Sequence, residues 1–198
     1  MAKTKIINLY ILCIFICSSL IGQDLVKSPL YSEGGTLTDE EKRQCLKELY
    51  DSQIGIRETG GSNRGVHVEK YLASVELGAG YAWCAAFVSW CYQNAEIQTP
   101  LSGWVPSYAL KDKRIYHRDK FQLRTPQTGD VFMVWYSKLK RPAHIGFIDQ
   151  WGEKWVTTVE GNTNDNGSRE CDGVYKKRRL KKQIWAVSDF VGSTDRQE

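Results

Sequence analysis

An α+β fold, with helices first and an antiparallel sheet packed behind them, is predicted by three observations. Up to about residue 97 the apolar residues recur at helical spacing. From Gly129 onward they fall in short runs rich in β-branched and aromatic residues, separated by turn signals. Between the two lies Thr99 to Gln127, a stretch of weak periodicity that contains Pro100, Pro106 and Pro126. Helical segments followed by strand segments, without alternation, describe layers that segregate.

The elements follow in order. "MAKTK" and then "IINLYILCIFICSSLIG" form a basic head, a short apolar core and a small-residue exit, so residues 1–22 are expected to be a secretory signal peptide. The apolar run is short for a spanning helix, which needs about 20 residues. Residues 23–37, with Pro29, Gly34 and Gly35, are expected to be a flexible leader, residues 38–192 the folded domain, and residues 193–198 a disordered tail. Thr38 and Glu41 have the spacing of a capping box, and Leu46, Leu49, Tyr50 and Ile54 continue it as a helix that stops near Gly55. "RETGGSNRG" is a loop. It follows a helix and lacks a Gly-Lys-Ser/Thr ending, which excludes a phosphate loop. "VHVEKYLASVEL" is a short helix, and "GAGYAWCAAFVSWCYQNAEI" holds the strongest one after its glycines. "GDVFMVWY", "AHIGFIDQW", "KWVTTVEGN", "GVYKKRRL" and "IWAVSDFV" read as strands.

Bulk properties bound the function. The 198 residues, less the leader, suit one domain with its own core. Lys3 and Lys5 supply half of the net charge of +4, and "KKRRLKK" (Lys176 to Lys182) concentrates the remaining excess. Such a run is ordinarily a solvated face; attraction to an anionic polymer is its functional reading. No nucleic-acid motif accompanies it. Of 6 cysteines, Cys13 and Cys17 lie in the expected signal peptide, leaving Cys45, Cys84, Cys91 and Cys171 without C-x-x-C spacing, so a zinc site is not expected. Export permits disulfides, but no pairing follows from the spacing.

Cys84 and Cys91 occupy one helix and divide two roles. A helix N-terminus favours a thiolate, because its unpaired N–H groups and its dipole stabilise negative charge. Cys84 stands where the helix after Gly78 and Gly80 should begin, which makes it the candidate nucleophile. Cys91, about 10 Å further along, lies with Phe87 and Val88 on the apolar face and is the packing residue. A cysteine nucleophile needs a base with an orienting partner. His67 and His117 sit in polar surroundings, whereas His144 opens an apolar strand, and "VEGN" offers Glu160 and Asn162 on the next one. With a three-residue loop, Gly152 to Lys154, Trp151 pairs with Trp155, Ile148 with Thr158, Gly146 with Glu160 and His144 with Asn162. His144, Glu160 and Asn162 then share a face, and a two-residue loop would separate them. Geometry favours Asn162 as the nearer residue and charge favours Glu160; Glu160 is expected to be the direct partner of His144. The structural alternative is a core histidine satisfied by a nearby carboxylate.

"WCAAFVSWC", "HIGFIDQW" and "EGNTND", in this order, resemble the CHAP family of cysteine, histidine-dependent amidohydrolases and peptidases. These are papain-like enzymes, related to the NlpC-like cell-wall peptidases, that cut bacterial peptidoglycan. The resemblance runs from about Ile54 to Val191. It implies a papain-like α+β domain with Cys84 as nucleophile, His144 as base, and Glu160 and Asn162 as orienting groups. The activity implied is that of a secreted or periplasmic peptidoglycan amidase or stem-peptide endopeptidase working through a thioester. A catalytically silent envelope-binding protein, or an antibacterial toxin of the same fold, is the alternative. Trp83 stands where some relatives place a glutamine, and Ala143 where glycine is common. Trp83, Trp104, Arg57 and Asn63 are the candidate substrate-binding residues, with Glu58 in the same loop as Arg57. "NTNDNG" imitates the start of a calcium loop at Asn162, Asn164, Asn166 and Gly167, but lacks its leading aspartate and closing glutamate, so neither metal nor cofactor is expected. Peptidoglycan is the expected partner, with no nucleic acid, no membrane span after removal of the leader, and a monomeric state.

Overall fold

The computed structural model describes residues 37–164 and 172–192. The expected signal peptide, nearly all of the leader, Cys171 and the tail lie outside these residues. Among the described residues no helix is long and apolar enough to cross a membrane.

The capping box at Thr38 forms as its spacing dictates. The Glu41 N–H donates to the Thr38 hydroxyl at 3.2 Å, and the Thr38 N–H donates to the Glu41 carboxylate at 2.8 Å. This starts α1 (Asp39–Ser52), which buries Leu46 and Tyr50. Arg43 of the same helix is also buried. Its guanidinium donates to Asp130 at 2.8 Å and to Asp189 at 2.9 Å, fastening α1 to the far side of the chain. α2 (Val66–Ala73) is short, and α3 (Cys84–Asn94) is buried on every side from Cys84 to Tyr92. A helix apolar all round belongs in the interior, and α3 occupies that place.

The strands are β1 (Arg114–His117), β2 (Phe121–Gln122), β3 (Val131–Tyr136), β4 (Arg141–Trp151), β5 (Trp155–Thr163), β6 (Gly173–Leu180) and β7 (Ala186–Ser188). They form one sheet in the order β2-β1-β7-β3-β4-β5-β6, with every pair antiparallel. The expected α+β layout is therefore present. β1 and β2 lie in the stretch whose periodicity predicts no element. They are short and carry Arg114, His117 and Gln122, too few apolar residues to show an alternation.

Alternation along the strands divides the core in two. Met133, Ile145, Phe147, Val159 and Val174 pack with the helices, while Phe132, Ile148, Val156 and Val187 form a second apolar cluster on the other face. Phe147 is the hinge of the main core, stacked on Tyr50 at 4.9 Å and edge-on to Phe87 at 6.0 Å.

The β4–β5 hairpin keeps the expected pairing of Ile148 with Thr158 but reaches it differently. Trp151 pairs with Val156, not with Trp155, and the Gly152 N–H donates to the Trp155 carbonyl at 3.1 Å, so that only Glu153 and Lys154 remain at the tip. A bulge between Ile148 and Gln150 adds one residue to β4. The bulge restores the phase that the tighter turn removes. Its extra residue, Asp149, turns a buried carboxylate to Lys47 at 2.8 Å and Lys176 at 2.9 Å. The three-residue loop is thus corrected to a tighter turn plus a bulge.

Candidate active site

Cys84 is the first residue of α3, at the position its sequence context predicts. Two glycines allow this. Gly80 takes φ +94, a left-handed conformation suited to glycine, and its N–H donates to the Asn63 carbonyl at 2.9 Å. Gly161 lets β5 approach the helix closely: a Cβ there would stand 2.7 Å from the Trp83 ring and 2.8 Å from Phe87. The start of α3 therefore rests on the strand that carries Glu160.

His144 and Glu160 are in direct contact, with the ring Nε2 2.7 Å from Glu160 Oε2. Both side chains are buried. With Nε2 engaged by the carboxylate, Nδ1 is the ring nitrogen left for Cys84. Burial by itself would lower the pKa of His144, but its interactions with Cys84 and Glu160 outweigh that and push it up to about 9. The Glu160 carboxyl lies far below the ordinary carboxylate range: burial opposes this, and hydrogen bonds from His144 and Arg179 overcome it.

Arg179 is the residue that sequence reasoning missed. Its Nε donates to Glu160 Oε1 and its Nη2 to Oε2, both at 2.5 Å, while the Thr158 hydroxyl adds a bond of 2.5 Å to Oε1. The "KKRRLKK" run reads as a solvated face, yet Arg179 points inward from β6. Its signal is the alternation of that strand, where Lys176 and Arg178 are exposed and Lys177 and Arg179 are partly buried.

Asn162 does not orient His144. A register shift between Glu160 and Thr163 breaks the β5–β6 ladder, and Asn162 takes φ +53 within it. This turns its amide toward the start of α3. Its Oδ1 accepts the Trp83 N–H at 3.1 Å, and its Nδ2 donates to Asn63 Oδ1 at 2.9 Å and to Glu58 Oε1 at 3.4 Å. The backbone facing that alternation assigns to Asn162 is undone by this register shift.

The other candidates separate cleanly. Trp83 is 0% exposed, so it is not a cleft-lining residue; its indole N–H donates to Glu58 Oε1 at 2.8 Å. Asn63 takes φ +55, receives Asn162, donates to the Gly80 carbonyl at 3.3 Å, and is held by a bond from its N–H to Glu58 Oε2 at 2.7 Å. Arg57 lies 4.0 Å over the Tyr175 ring and donates to the Ile56 and Val174 carbonyls. All three thus have partners within the protein. Trp104 is 51% exposed, with the Arg141 guanidinium 3.9 Å from its ring centre.

Cys91 is fully buried, and burial pushes its thiol well above the usual range. Among the described residues, Cys45, Cys84 and Cys91 form no disulfide with one another. His117 packs on Trp185 at 5.2 Å and accepts the Asp119 N–H at 3.3 Å, far in the fold from the Cys84 pair. Among the described residues no cluster of His, Cys, Asp or Glu could hold a metal ion; the calcium-like stretch beyond Asn164 lies outside them.

Residues 76–162 match the family model of the CHAP domain, the family that the three sequence motifs resemble. The matched segment spans α3 and the strands that carry His144 and Glu160 and ends at Asn162. No curated protein and no solved structure matches the chain.

Proposed function

We propose that this CHAP-domain chain is an exported, papain-like peptidoglycan hydrolase that cleaves an amide bond through a thioester on Cys84. The family match supports a hydrolase of the amidase or peptidase type acting on peptidoglycan. The observation that carries the finer reading is the continuous line Cys84–His144–Glu160–Arg179, built from the first residue of a helix and three neighbouring strands. The basic head and apolar run of residues 1–22 support export.

The chemistry follows from the geometry. Cys84 Sγ attacks the amide carbonyl while the imidazolium of His144 stands beside it. The tetrahedral oxyanion is met by the N–H groups at the start of α3. Phe87 is the first residue to donate back to Trp83 O, at 2.9 Å, so the N–H groups of Cys84 to Ala86 precede the helical ladder and face its open end. As the C–N bond breaks, His144 gives its proton to the leaving amine, and the acyl group remains on sulfur. His144 then takes a proton from water, whose oxygen attacks the thioester and releases the acid and the thiolate. Glu160 keeps the ring oriented and its cation stabilised; Arg179 and Thr158 keep Glu160 in place. Asn162, Asn63 and Glu58 act one step back, by holding Trp83 and hence the helix start.

Purified sacculi incubated with the mature protein are expected to release soluble fragments whose masses identify the cut amide, and Cys84→Ala is expected to release none. Undiminished release by Cys84→Ala overturns the mechanism, and no release by the wild-type protein overturns the activity.

A further inference from the structure

The geometry points to Arg141 and Trp104 as a subsite for a substrate carboxylate, placed beside the scissile amide; we infer this on the basis of the hydrolase reading above. Arg141 opens β4, three residues before His144 on the same strand. Three residues of strand span roughly 10 Å, and an arginine side chain covers much of that. The Trp104 ring meets the Arg141 guanidinium from a different segment of the chain. Its loop is tied to α3 by the bonds of Ser89 Oγ with the Ser102 carbonyl and N–H, each 3.1 Å. Tyr108, four residues on, is buried and within electrostatic reach of Cys84.

The pair has the form of a receptor awaiting an anion. Arg141 is half-buried, with its guanidinium carbon 3.9 Å from the centre of the Trp104 ring and its Nη1 donating to the Pro142 carbonyl at 3.1 Å. Contact with the indole restrains the guanidinium, and a guanidinium has five N–H donors, enough to bind a carboxylate with two bonds besides the one to Pro142. Arg43, Arg124 and Arg179 each meet carboxylates within the protein, whereas among the described residues no acidic side chain forms an ion pair with Arg141. Arg178 also stacks on an exposed tryptophan, Trp155, at 5.1 Å, but it pairs through Thr157 with the end of β4 remote from His144. Arg57 is spent on two carbonyls. Arg141 alone of these combines a stacked, acid-free guanidinium with the strand of His144. The ligand class is a peptide with a free carboxylate within about two residues of the cleaved bond, by the reach of an extended chain of roughly 3.5 Å per residue.

The test uses Cys84→Ala protein, which binds without turnover, and calorimetric titration with acetyl-L-alanyl-γ-D-glutamyl-L-lysinamide. The glutamate α-carboxyl is supplied either free or as its primary amide. The free acid is expected to bind roughly 10- to 100-fold more tightly, the range of a charge-assisted bond. Adding Arg141→Gln should remove that preference, and adding Arg141→Lys should restore part of it. Equal binding of acid and amide overturns the subsite, as does failure to bind either peptide. An unchanged preference in Arg141→Gln overturns it as well. The comparison of the two peptides on one protein needs no folded Arg141 variant. Turnover by the wild-type protein separates the two readings. Cleavage of acid and amide at equal kcat/KM sinks the subsite and leaves the hydrolase standing. Preferential binding of the acid, with neither peptide nor sacculi cut, does the reverse.

Discussion

The half of the site on β4, β5 and β6 is held by charge, and the half at the start of α3 is held by neutral hydrogen bonds. On the first, buried His144 and Glu160 and partly buried Arg179 form a row of alternating charge with contacts of 2.7 and 2.5 Å. On the second, Asn162 accepts the Trp83 backbone N–H and Glu58 its indole N–H, Asn63 bonds to both of these, and the only ionisable member, Glu58, accepts bonds from neutral donors. Glu160 and Asn162 stand two residues apart on one strand, yet belong to different halves because the ladder slips between them. The charged half sets the protonation of the imidazole. The neutral half sets where the thiol sits. Perturbing each should therefore give different signatures.

Glu160→Gln is expected to have the largest effect. It leaves the Arg179 cation buried without its carboxylate, and breaking such a pair costs about 3–5 kcal/mol. Activity should fall at least about 100-fold, in line with the loss of acid–base function. Urea denaturation and kcat/KM measure the two losses. Adding Arg179→Met should recover part of the stability and none of the activity, which separates the fold's use of the pair from the reaction's.

The charged half should also carry the pH dependence. His144 has a folded pKa raised to about 9 from an ordinary 6.5. Its contribution to stability is thus fully present below about 6.5 and is lost as pH rises through about 9. Calorimetric Tm values from pH 6 to 10 should decline across this window, and His144→Ala should flatten the decline. A wild-type Tm that rises over the same range would contradict the assigned pairing.

A smaller effect is expected in the neutral half. Asn162→Gly keeps the left-handed backbone and removes the amide, so stability should drop by about 1 kcal/mol and activity roughly tenfold. The shape of the pH–rate profile should not change. Asn162→Ala should be worse, because alanine resists φ +53 by a further 1 kcal/mol or so. A shifted profile in Asn162→Gly would move Asn162 into the charged half. Smallest of all is Cys91→Ala: about 1 kcal/mol for a small buried cavity, with catalysis intact.

What could be read from the chain follows the same division. The Thr38–Glu41 cap, the helix beginning at Cys84, the β4–β5 pairing at Ile148 and Thr158, and the contact of His144 with Glu160 all arise from local periodicity and alternation. What was hidden depends on slips in register and on distant partners. The bulge at Asp149 exists because its carboxylate meets Lys47 of α1 and Lys176 of β6, and the turn of Asn162 because it meets Trp83 and Asn63. Arg179 was hidden inside a basic run in which Lys176 and Arg178 face solvent, and the inward members, Lys177 and Arg179, are told apart only once β6 is seen to pair with β5. Trp83, beside the thiol in sequence, points into the core because its indole N–H has an acceptor there in Glu58.

The central claim is that Cys84 is activated by His144 at the start of α3 while Cys91 is inert packing. Brief alkylation of the folded protein with iodoacetamide at pH 7, followed by peptide mapping, tests it most directly. The expected result is rapid labelling of Cys84, none of Cys91, and at least tenfold slower labelling of Cys84 in His144→Ala. Labelling of Cys91 ahead of Cys84, or a Cys84 rate indifferent to the loss of His144, would contradict it.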